Sequence, residues 1–281
     1  MADTLHQLAS GAVLHQGTGQ GLPVVFLHGV GGAAWSWSPQ VEALGQTFAT
    51  FTWEARGHGA ARRVDDAGLA DSYVDAREAL DLVFERTKRP AVLVGHSMGG
   101  LLALALACER PDAVAGVFLV DPVYAETGSL PVALPRLVAA FFRLLVGAIA
   151  SSFATDGWLG RAVAWPIFTW AFHDAQVRDR TWALQRTQVP LEYRRMLLES
   201  VDGVEGFPFS PFADRVKAPV HLVEALMRPG SRSKFTVVKT RLQATLGAKA
   251  TFQSVVGGHY LQLDRAAEVN AQLLSFLRSL H

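Results

Sequence analysis

Ser97 is the residue whose surroundings point most clearly to chemistry. It stands in the run Gly95-His96-Ser97-Met98-Gly99, between an apolar stretch and a series of small residues. Glycines two positions before and two positions after the serine leave room for a tight strand-to-helix turn, which projects the hydroxyl clear of the backbone. The hydroxyl then lies at the positive end of the following helix. The pattern predicts a nucleophilic serine for acyl transfer; the alternative is a glycine-rich turn that contains a serine by chance.

The elements that must position this serine alternate along the chain. Short apolar runs predict strands at 24–27, 48–53, 91–94, 114–120, 220–223 and 250–256, and helical patterns occupy 71–88, 97–110 and 266–280. Strands that are apolar on both faces and separated by helices indicate a mainly parallel sheet. The sequence therefore predicts an α/β protein whose sheet is covered by helices on both faces.

Composition excludes several classes of protein. The 281 residues are 50% hydrophobic and 18% charged, which excludes intrinsic disorder. A net charge of +1 gives no electrostatic case for binding nucleic acid. Cys108 is the single cysteine, so a disulfide-stapled secreted module is excluded. No signal peptide is visible near the N-terminus, and we expect a cytoplasmic protein.

The segment 127–214 interrupts the alternation of strands and helices. It contains four of the seven tryptophans, many helix-forming residues and no good strand pattern. We therefore expect a helical cap over the carboxyl edge of the sheet, with 1–126 and 215–281 together forming the core domain.

One part of this segment, 134–155, is strongly apolar. Arg136 and Arg143 interrupt it, and the charge-free part, 144–155, is only 12 residues long. A helix needs about 20 apolar residues to span a bilayer, so a stable membrane span is disfavoured. We expect a buried or pocket-lining helix, with interfacial membrane contact as the alternative.

Four motifs in order resemble those of the α/β-hydrolase-fold superfamily. They are His28-Gly29-Val30-Gly31-Gly32, Arg56-Gly57-His58-Gly59, the run from Gly95 to Gly99, and Gly257-Gly258-His259. In that family they correspond to the oxyanion loop, the turn after the next strand, the nucleophile elbow and the histidine loop. The resemblance covers nearly the whole chain. It implies an esterase- or lactonase-like serine hydrolase, a cap inserted after the sixth strand, and an oxyanion hole made by the backbone N–H groups of Val30 and Met98.

His259 is the predicted base among nine histidines. It alone follows a strand, stands in a Gly-Gly-His loop and precedes the terminal helix, from where an imidazole can reach the elbow. The histidines of the sheet-edge turns, His28, His58 and His96, are expected to make structural hydrogen bonds. A surface histidine with satisfied hydrogen bonds is the alternative for His259.

The acid that orients the base has two candidates. Much of the family places it after the penultimate strand, but the only acid there is Glu224, which stands early, at the strand's end. Some subfamilies place the acid after the preceding strand, where Asp121 lies 24 residues beyond Ser97. We expect Asp121 to orient His259. The alternatives are Glu224, a chain with no acid partner, and an Asp-Pro turn in which Asp121 only caps a helix.

The substrate site is expected to be apolar. Trp35, His28, Phe141, Trp165 and Phe168 are the candidate substrate contacts, whereas Trp37 is predicted to lie in the core. Collectively the aromatic residues favour a hydrophobic small molecule over a polyanion. No metal cluster, phosphate-binding glycine loop or dinucleotide fingerprint is present, so neither a metal nor a cofactor is implied.

These observations predict a monomeric or homodimeric serine hydrolase that cleaves a carboxylic ester or lactone of a hydrophobic small molecule. Two alternatives use the same fold. In a cofactor-independent oxygenase, the histidine acts as base on a heteroaromatic substrate and the serine need not be acylated. A non-catalytic receptor can retain an intact triad while it only binds its ligand.

Overall fold

The computed structural model describes residues 4–45, 47–61, 68–122, 165, 169, 171–188 and 210–280. Its strands are β1 (Thr4–Gln7), β2 (Val13–Gln16), β3 (Pro23–Leu27), β4 (Ala49–Glu54), β5 (Ala91–His96), β6 (Val114–Val120), β7 (Val220–Leu226) and β8 (Ala250–Val256). They form one sheet in the order β1-β2-β4-β3-β5-β6-β7-β8. The strands from β3 to β8 pair in parallel, and β1 and β2 add an antiparallel edge.

The helices of the described ranges connect and cover these strands. They are α1 (Ser38–Leu44), α2 (Leu69–Thr87), α3 (Met98–Glu109), α4 (Ala175–Gln188), α5 (Ser210–Ala213), α6 (Thr236–Leu246), α7 (Leu261–Asp264) and α8 (Ala266–Arg278). Short 3-10 turns at Ala34–Trp37 and Gly247–Lys249 precede α1 and β8.

Alternate residues of the central strands pack into two different layers. Val25 and Leu93 belong to a cluster that also holds buried residues of α2, α3 and α6. Phe26 and Val94 belong to the opposite cluster, with buried residues of α1 and α8. Because a strand directs successive side chains to opposite faces, an uninterrupted apolar run is what a sheet covered on both sides requires.

The predicted fold class is therefore confirmed, and the strands and helices predicted for the core domain are present in the described residues. Two features differ from the prediction. The β1–β2 hairpin was not expected, and β7 continues three residues beyond 223 to Leu226. Trp37 lies fully buried against Phe26, with ring centroids 5.2 Å apart, as expected for a core residue.

In the part of the chain that the structure describes, no helix has the length and apolar character needed to cross a membrane. The apolar stretch 134–155 lies outside the described residues, as does most of the predicted cap.

Candidate active site

Ser97 occupies the turn between β5 and α3 in a conformation that side chains rarely adopt. Its φ is +52° and its ψ is −119°, and its N–H donates to the Val120 oxygen over 3.2 Å. A positive φ strains any residue with a Cβ, and strain of this kind persists where the surrounding structure enforces it. Ser97 is only 7% exposed, at the carboxyl ends of β5 and β6.

The neighbouring glycines are required by close backbone contacts. A Cβ on Gly95 would lie 2.3 Å from the Gly99 oxygen, and a Cβ on Gly99 would lie 2.1 Å from the Leu27 oxygen. Both distances are too short for real atoms, so a side chain at either position would force the strands and α3 apart. The glycine spacing therefore sets how closely α3 approaches the sheet.

His259 follows β8 and is hydrogen bonded to a carboxylate at the end of β6. Its Nδ1 lies 2.6 Å from Oδ2 of Asp121. Asp121 is fully buried, and its Oδ1 accepts a hydrogen bond from the Ala225 N–H over 3.0 Å. Burial by itself would raise the pKa of Asp121, but the hydrogen bonds and charges of His259 and Lys234 lower it to about 2. The carboxylate is thus ionised and faces the imidazole.

Glu224, the other acid considered, has different partners. It is buried near the end of β7, where its carboxylate binds Lys239 and accepts hydrogen bonds from the hydroxyls of Ser233 and Ser254, each with an O···O distance of 2.5 Å. Burial would raise the pKa of Glu224, but these three partners lower it. The structure brings Asp121, and not Glu224, to the imidazole of His259.

His96 connects the elbow to the histidine loop. Its Nε2 donates to the backbone oxygen of His259 over 2.9 Å, and the two rings are 4.6 Å apart between centroids. Burial, and then the charge of His259, hold the pKa of His96 well below its usual value, so this ring is neutral. The residue before the serine therefore holds the backbone of the predicted base beside the elbow.

No hydrogen bond joins the Ser97 hydroxyl to His259 among the described residues. Catalytic hydrogen bonds of this kind often tighten only when the substrate binds. The contact between His96 and His259 sets the separation of the two residues, because His96 and Ser97 are adjacent in the chain.

The loop after β3 packs directly on the elbow. A Cβ on Gly29 would lie 2.9 Å from the Cβ of Ser97, so only glycine allows this approach. Val30, whose N–H is a predicted oxyanion-hole donor, is the next residue of this loop. Met98 is the first residue of α3, where a backbone N–H has no partner within the helix. The Met98 amide thus directly follows Ser97 in the chain, and the oxyanion-hole role of the Val30 and Met98 amides stays a prediction.

Hydrogen bonds from buried polar residues stabilise this loop. The Glu54 carboxylate accepts hydrogen bonds from the N–H groups of Ala34 and Ala60, over 2.9 and 2.8 Å, and His58 Nε2 accepts one from Gly31 over 3.3 Å. Arg56, in the same turn as His58, is bound to the buried carboxylate of Asp75 on α2. The Arg-Gly-His-Gly motif thus braces the loop that carries Val30.

His28 does not occupy the position expected of a substrate contact. It is fully buried and stacks on Trp53, with ring centroids 4.8 Å apart. Its Nδ1 bonds the Gly29 oxygen and its Nε2 accepts the Ala55 N–H, so both ring nitrogens are engaged. This geometry assigns His28 to the support of the loop.

The remaining predicted contacts are described only in part. Trp35 is half-buried in the 3-10 turn, and its contact with substrate stays a prediction. Trp165 is 38% exposed, meets Trp182 edge-on and has the Arg178 guanidinium 4.5 Å from its ring centroid. Phe141 and Phe168 lie outside the described residues.

Part of the predicted cap rests on the histidine loop. The N–H of Tyr260 donates to the Ala171 oxygen over 3.3 Å, and the Phe172 ring stacks on the Tyr260 ring at 4.8 Å. Gln185 on α4 donates to the Tyr260 hydroxyl over 3.0 Å. Three contacts thus tie the segment 171–185 to the residue after His259.

Lys234 is the site residue that sequence reasoning missed. Its Nζ lies 2.6 Å from Oδ2 of Asp121, the oxygen that also binds His259. A cavity of about 140 Å³ opens here, lined by Asp121, His259, Arg232 and Lys234 together with apolar residues at the end of β7. No motif surrounds Lys234, and it stands in a polar loop 25 residues before His259, so the sequence carried no signal for it.

Comparison with known proteins agrees with this architecture. The model of the alpha/beta hydrolase family matches residues 24–272, so the chain belongs to that family. The solved enol-lactonase of Burkholderia xenovorans LB400 superposes with a TM-score of 0.70 and 21% identity, over 98% of this chain and 100% of that one. At this identity the likeness concerns the fold.

Two of the similar proteins carry the names of hydrolases. The (E)-2-((N-methylformamido)methylene)succinate hydrolase of Acinetobacter baylyi is 34% identical over 110 residues, which are 39% of this chain and 41% of that protein. The match thus spans about two fifths of that relative's length. RutD of Enterobacter cloacae, provisionally named a carbamate hydrolase, is 27% identical over 92% of this chain and 93% of its own.

Proposed function

We propose that the protein is a serine hydrolase that cleaves a carboxylic ester or lactone of a hydrophobic small molecule through an acyl-enzyme. The observation that carries the proposal is the 2.6 Å hydrogen bond between His259 and the buried Asp121, held beside a strained, glycine-flanked serine. Membership of the alpha/beta hydrolase family and the names of the relatives support hydrolysis as the reaction class.

In the proposed mechanism, Nε2 of His259 takes the proton of the Ser97 hydroxyl as its oxygen attacks the carbonyl carbon. The electron pair of the carbonyl moves to its oxygen, which the N–H groups of Val30 and Met98 stabilise. The intermediate collapses, the bond to the alkoxy oxygen breaks, and the leaving alcohol receives the proton from His259. Water then repeats these steps on the acyl-enzyme and releases the acid.

Asp121 acts through His259 in this scheme. Its Oδ2 accepts the Nδ1–H, which leaves Nε2 as the ring nitrogen that can take the proton of the serine. The negative charge also stabilises the imidazolium that forms during each proton transfer. The Ala225 N–H on the other oxygen fixes the plane of the carboxylate.

The apolar substrate class in this proposal rests on the sequence, in which the candidate substrate contacts Trp35, Phe141, Trp165 and Phe168 are all aromatic. We propose that the segment 127–214 forms the cap, because its described residues Ala171, Phe172 and Gln185 pack on Tyr260. The cap would then close the substrate site from above the carboxyl edge of the sheet.

Turnover of short p-nitrophenyl esters tests the proposal. We expect the wild-type protein to hydrolyse them and the Ser97→Ala variant to lose this activity, since Ser97 is the proposed nucleophile. If Ser97→Ala still turns over a heteroaromatic substrate with oxygen uptake, an oxygenase that uses His259 alone as its base replaces this proposal. Tight binding of small ligands without turnover of any ester would instead indicate a receptor.

A further inference from the structure

Two nitrogen groups, the imidazole of His259 and the ammonium of Lys234, meet on one oxygen of Asp121. Oδ2 lies 2.6 Å from Nδ1 of His259 and 2.6 Å from Nζ of Lys234, while Oδ1 is occupied by the Ala225 N–H. The lysine therefore contacts the same atom that must stabilise the imidazolium. The basic arrangement of serine, histidine and acid does not require such a cation.

The position of Lys234 is fixed on both sides. The preceding residue, Ser233, donates to the buried Glu224, and the following residue, Phe235, is itself fully buried. The N–H of Phe235 also donates to the Ser233 hydroxyl over 3.1 Å. The lysine side chain is 46% exposed and the Asp121 side chain is fully buried, so the ammonium approaches the acid from the cavity.

We propose that Lys234 is a positioning residue that tunes the base through Asp121. A positive charge on the shared oxygen weakens the attraction of the carboxylate for the imidazolium. His259 then remains neutral, and able to accept the serine proton, at lower pH than it would beside an unpaired aspartate. The lysine also holds the carboxylate ionised and fixed in place. The catalytic consequence of this inference rests on the proposed hydrolase function.

The other ionisable groups near His259 do not supply this effect. His96 is neutral because burial depresses its pKa, and burial raises the pKa of Tyr260 to about 12, so neither ring carries charge near neutral pH. The Asp264 carboxylate binds the backbone N–H of Gly258. Arg232 lines the same cavity, but Lys234 is the lysine or arginine that contacts Asp121 in the described residues.

Titration of the His259 ring by nuclear magnetic resonance tests the inference without a substrate. The ring signals are assigned with a His259→Gln variant. In Lys234→Met we expect the midpoint of the titration to rise by about one pH unit, because the exposed part of the lysine is screened by water and its full effect is reduced. Lys234→Arg restores the charge and should return the midpoint toward that of the wild type.

The rate at which a fluorophosphonate labels Ser97 gives the matching kinetic readout. In Lys234→Met the acid limb of the rate–pH profile should move to higher pH together with the ring titration, while the rate at high pH stays close to the wild-type value. Lys239→Met is the control, because it removes the lysine that binds Glu224 in the same region and should leave the acid limb unchanged.

An unchanged titration midpoint in Lys234→Met, with a lower labelling rate at every pH, would reduce Lys234 to a structural role and overturn the inference. An unchanged midpoint with a higher KM for carboxylate-bearing esters alone would assign it to substrate binding. If the wild type is not labelled at Ser97, the hydrolase proposal fails, and the ring titration still decides whether Lys234 tunes His259.

Discussion

Nε2 of His96 donates a hydrogen bond to the backbone oxygen of His259 over 2.9 Å, so the residue next to the nucleophile holds the loop of the proposed base. The bond joins β5 to the loop after β8, 163 positions apart in the chain. It makes the distance between the serine and the imidazole depend on a second, neutral histidine.

His96→Phe should keep the ring packing and remove this bond. Because small displacements of catalytic groups are costly, we expect kcat/KM to fall about tenfold to hundredfold. The free energy of unfolding should fall by about 1–2 kcal/mol. Steady-state kinetics and urea denaturation measure the two effects. His221→Phe removes the hydrogen bonds of a half-buried histidine on β7 and should change stability alone. Wild-type kinetics in His96→Phe would exclude the positioning role.

The amide variants of the two buried acids, Asp121→Asn and Glu224→Gln, should differ in their effects on activity and stability. Asp121→Asn should lower kcat by about 10⁴, because an amide cannot hold the required tautomer or stabilise the imidazolium. Glu224→Gln should retain most of the activity and lower the free energy of unfolding by about 2–4 kcal/mol, since it leaves Lys239 without its carboxylate. Kinetics and denaturation of both variants are needed. A larger rate loss in Glu224→Gln than in Asp121→Asn would reverse the assignment.

The strained backbone at Ser97 predicts that a glycine variant is more stable than an alanine variant. Glycine tolerates a φ of +52° and alanine does not, so Ser97→Gly should be more stable to urea than Ser97→Ala by about 1 kcal/mol. Both variants should be inactive. At Ser72, inside α2, the order should be reversed, because glycine weakens a helix. If alanine is the more stable replacement at both positions, the elbow is not strained in solution.

The free energy of unfolding should depend on pH through the protonation of His28. Burial, and then the neighbouring His58, lower the pKa of His28 from 6.5 to about 3. As the pH falls, the unfolded chain takes up a proton near pH 6.5 and the folded chain does not until near pH 3. The stabilising contribution is therefore complete above pH 6.5 and is lost between these values, by on the order of 5 kcal/mol.

Urea denaturation between pH 7 and pH 4 measures this contribution. His28→Gln should be less stable than the wild type at pH 7 and should lose less stability on acidification. Gln7→Asn, on the edge strand β1, removes no titratable group and should keep the wild-type slope. Equal slopes in all three proteins would show that His28 is not buried in its neutral form.

The central strands and the elbow were predictable because their patterns are local. Apolar runs mark strands that are covered on both faces, and the glycines around Ser97 reflect contacts with residues close by in the sheet. The β1–β2 hairpin was not predictable in this way, because Thr4–Gln7 is largely exposed and has no clear alternation. The extension of β7 was not predicted, because a charged residue such as Glu224 usually marks the end of a buried strand. In the structure its carboxylate binds Lys239, Ser233 and Ser254, so the strand continues past it.

The site was predictable to the extent that motifs carry it. Asp121 could be selected only from chain order and family resemblance, since its pairing with His259 spans 138 positions. Lys234 lies in no motif, and its contact with Asp121 arises only in the tertiary structure. The position of His28 in the oxyanion loop makes it a candidate substrate contact, but the burial of its side chain is a property of the tertiary structure.

Mass spectrometry of the protein after treatment with a fluorophosphonate shows whether Ser97 is the nucleophile that His259 activates. We expect a single adduct, located on Ser97 by peptide mapping, with labelling greatly slowed in His259→Gln and absent in Ser97→Ala. Labelling of another residue in place of Ser97, or equal labelling rates in the wild type and His259→Gln, would contradict this role of Ser97.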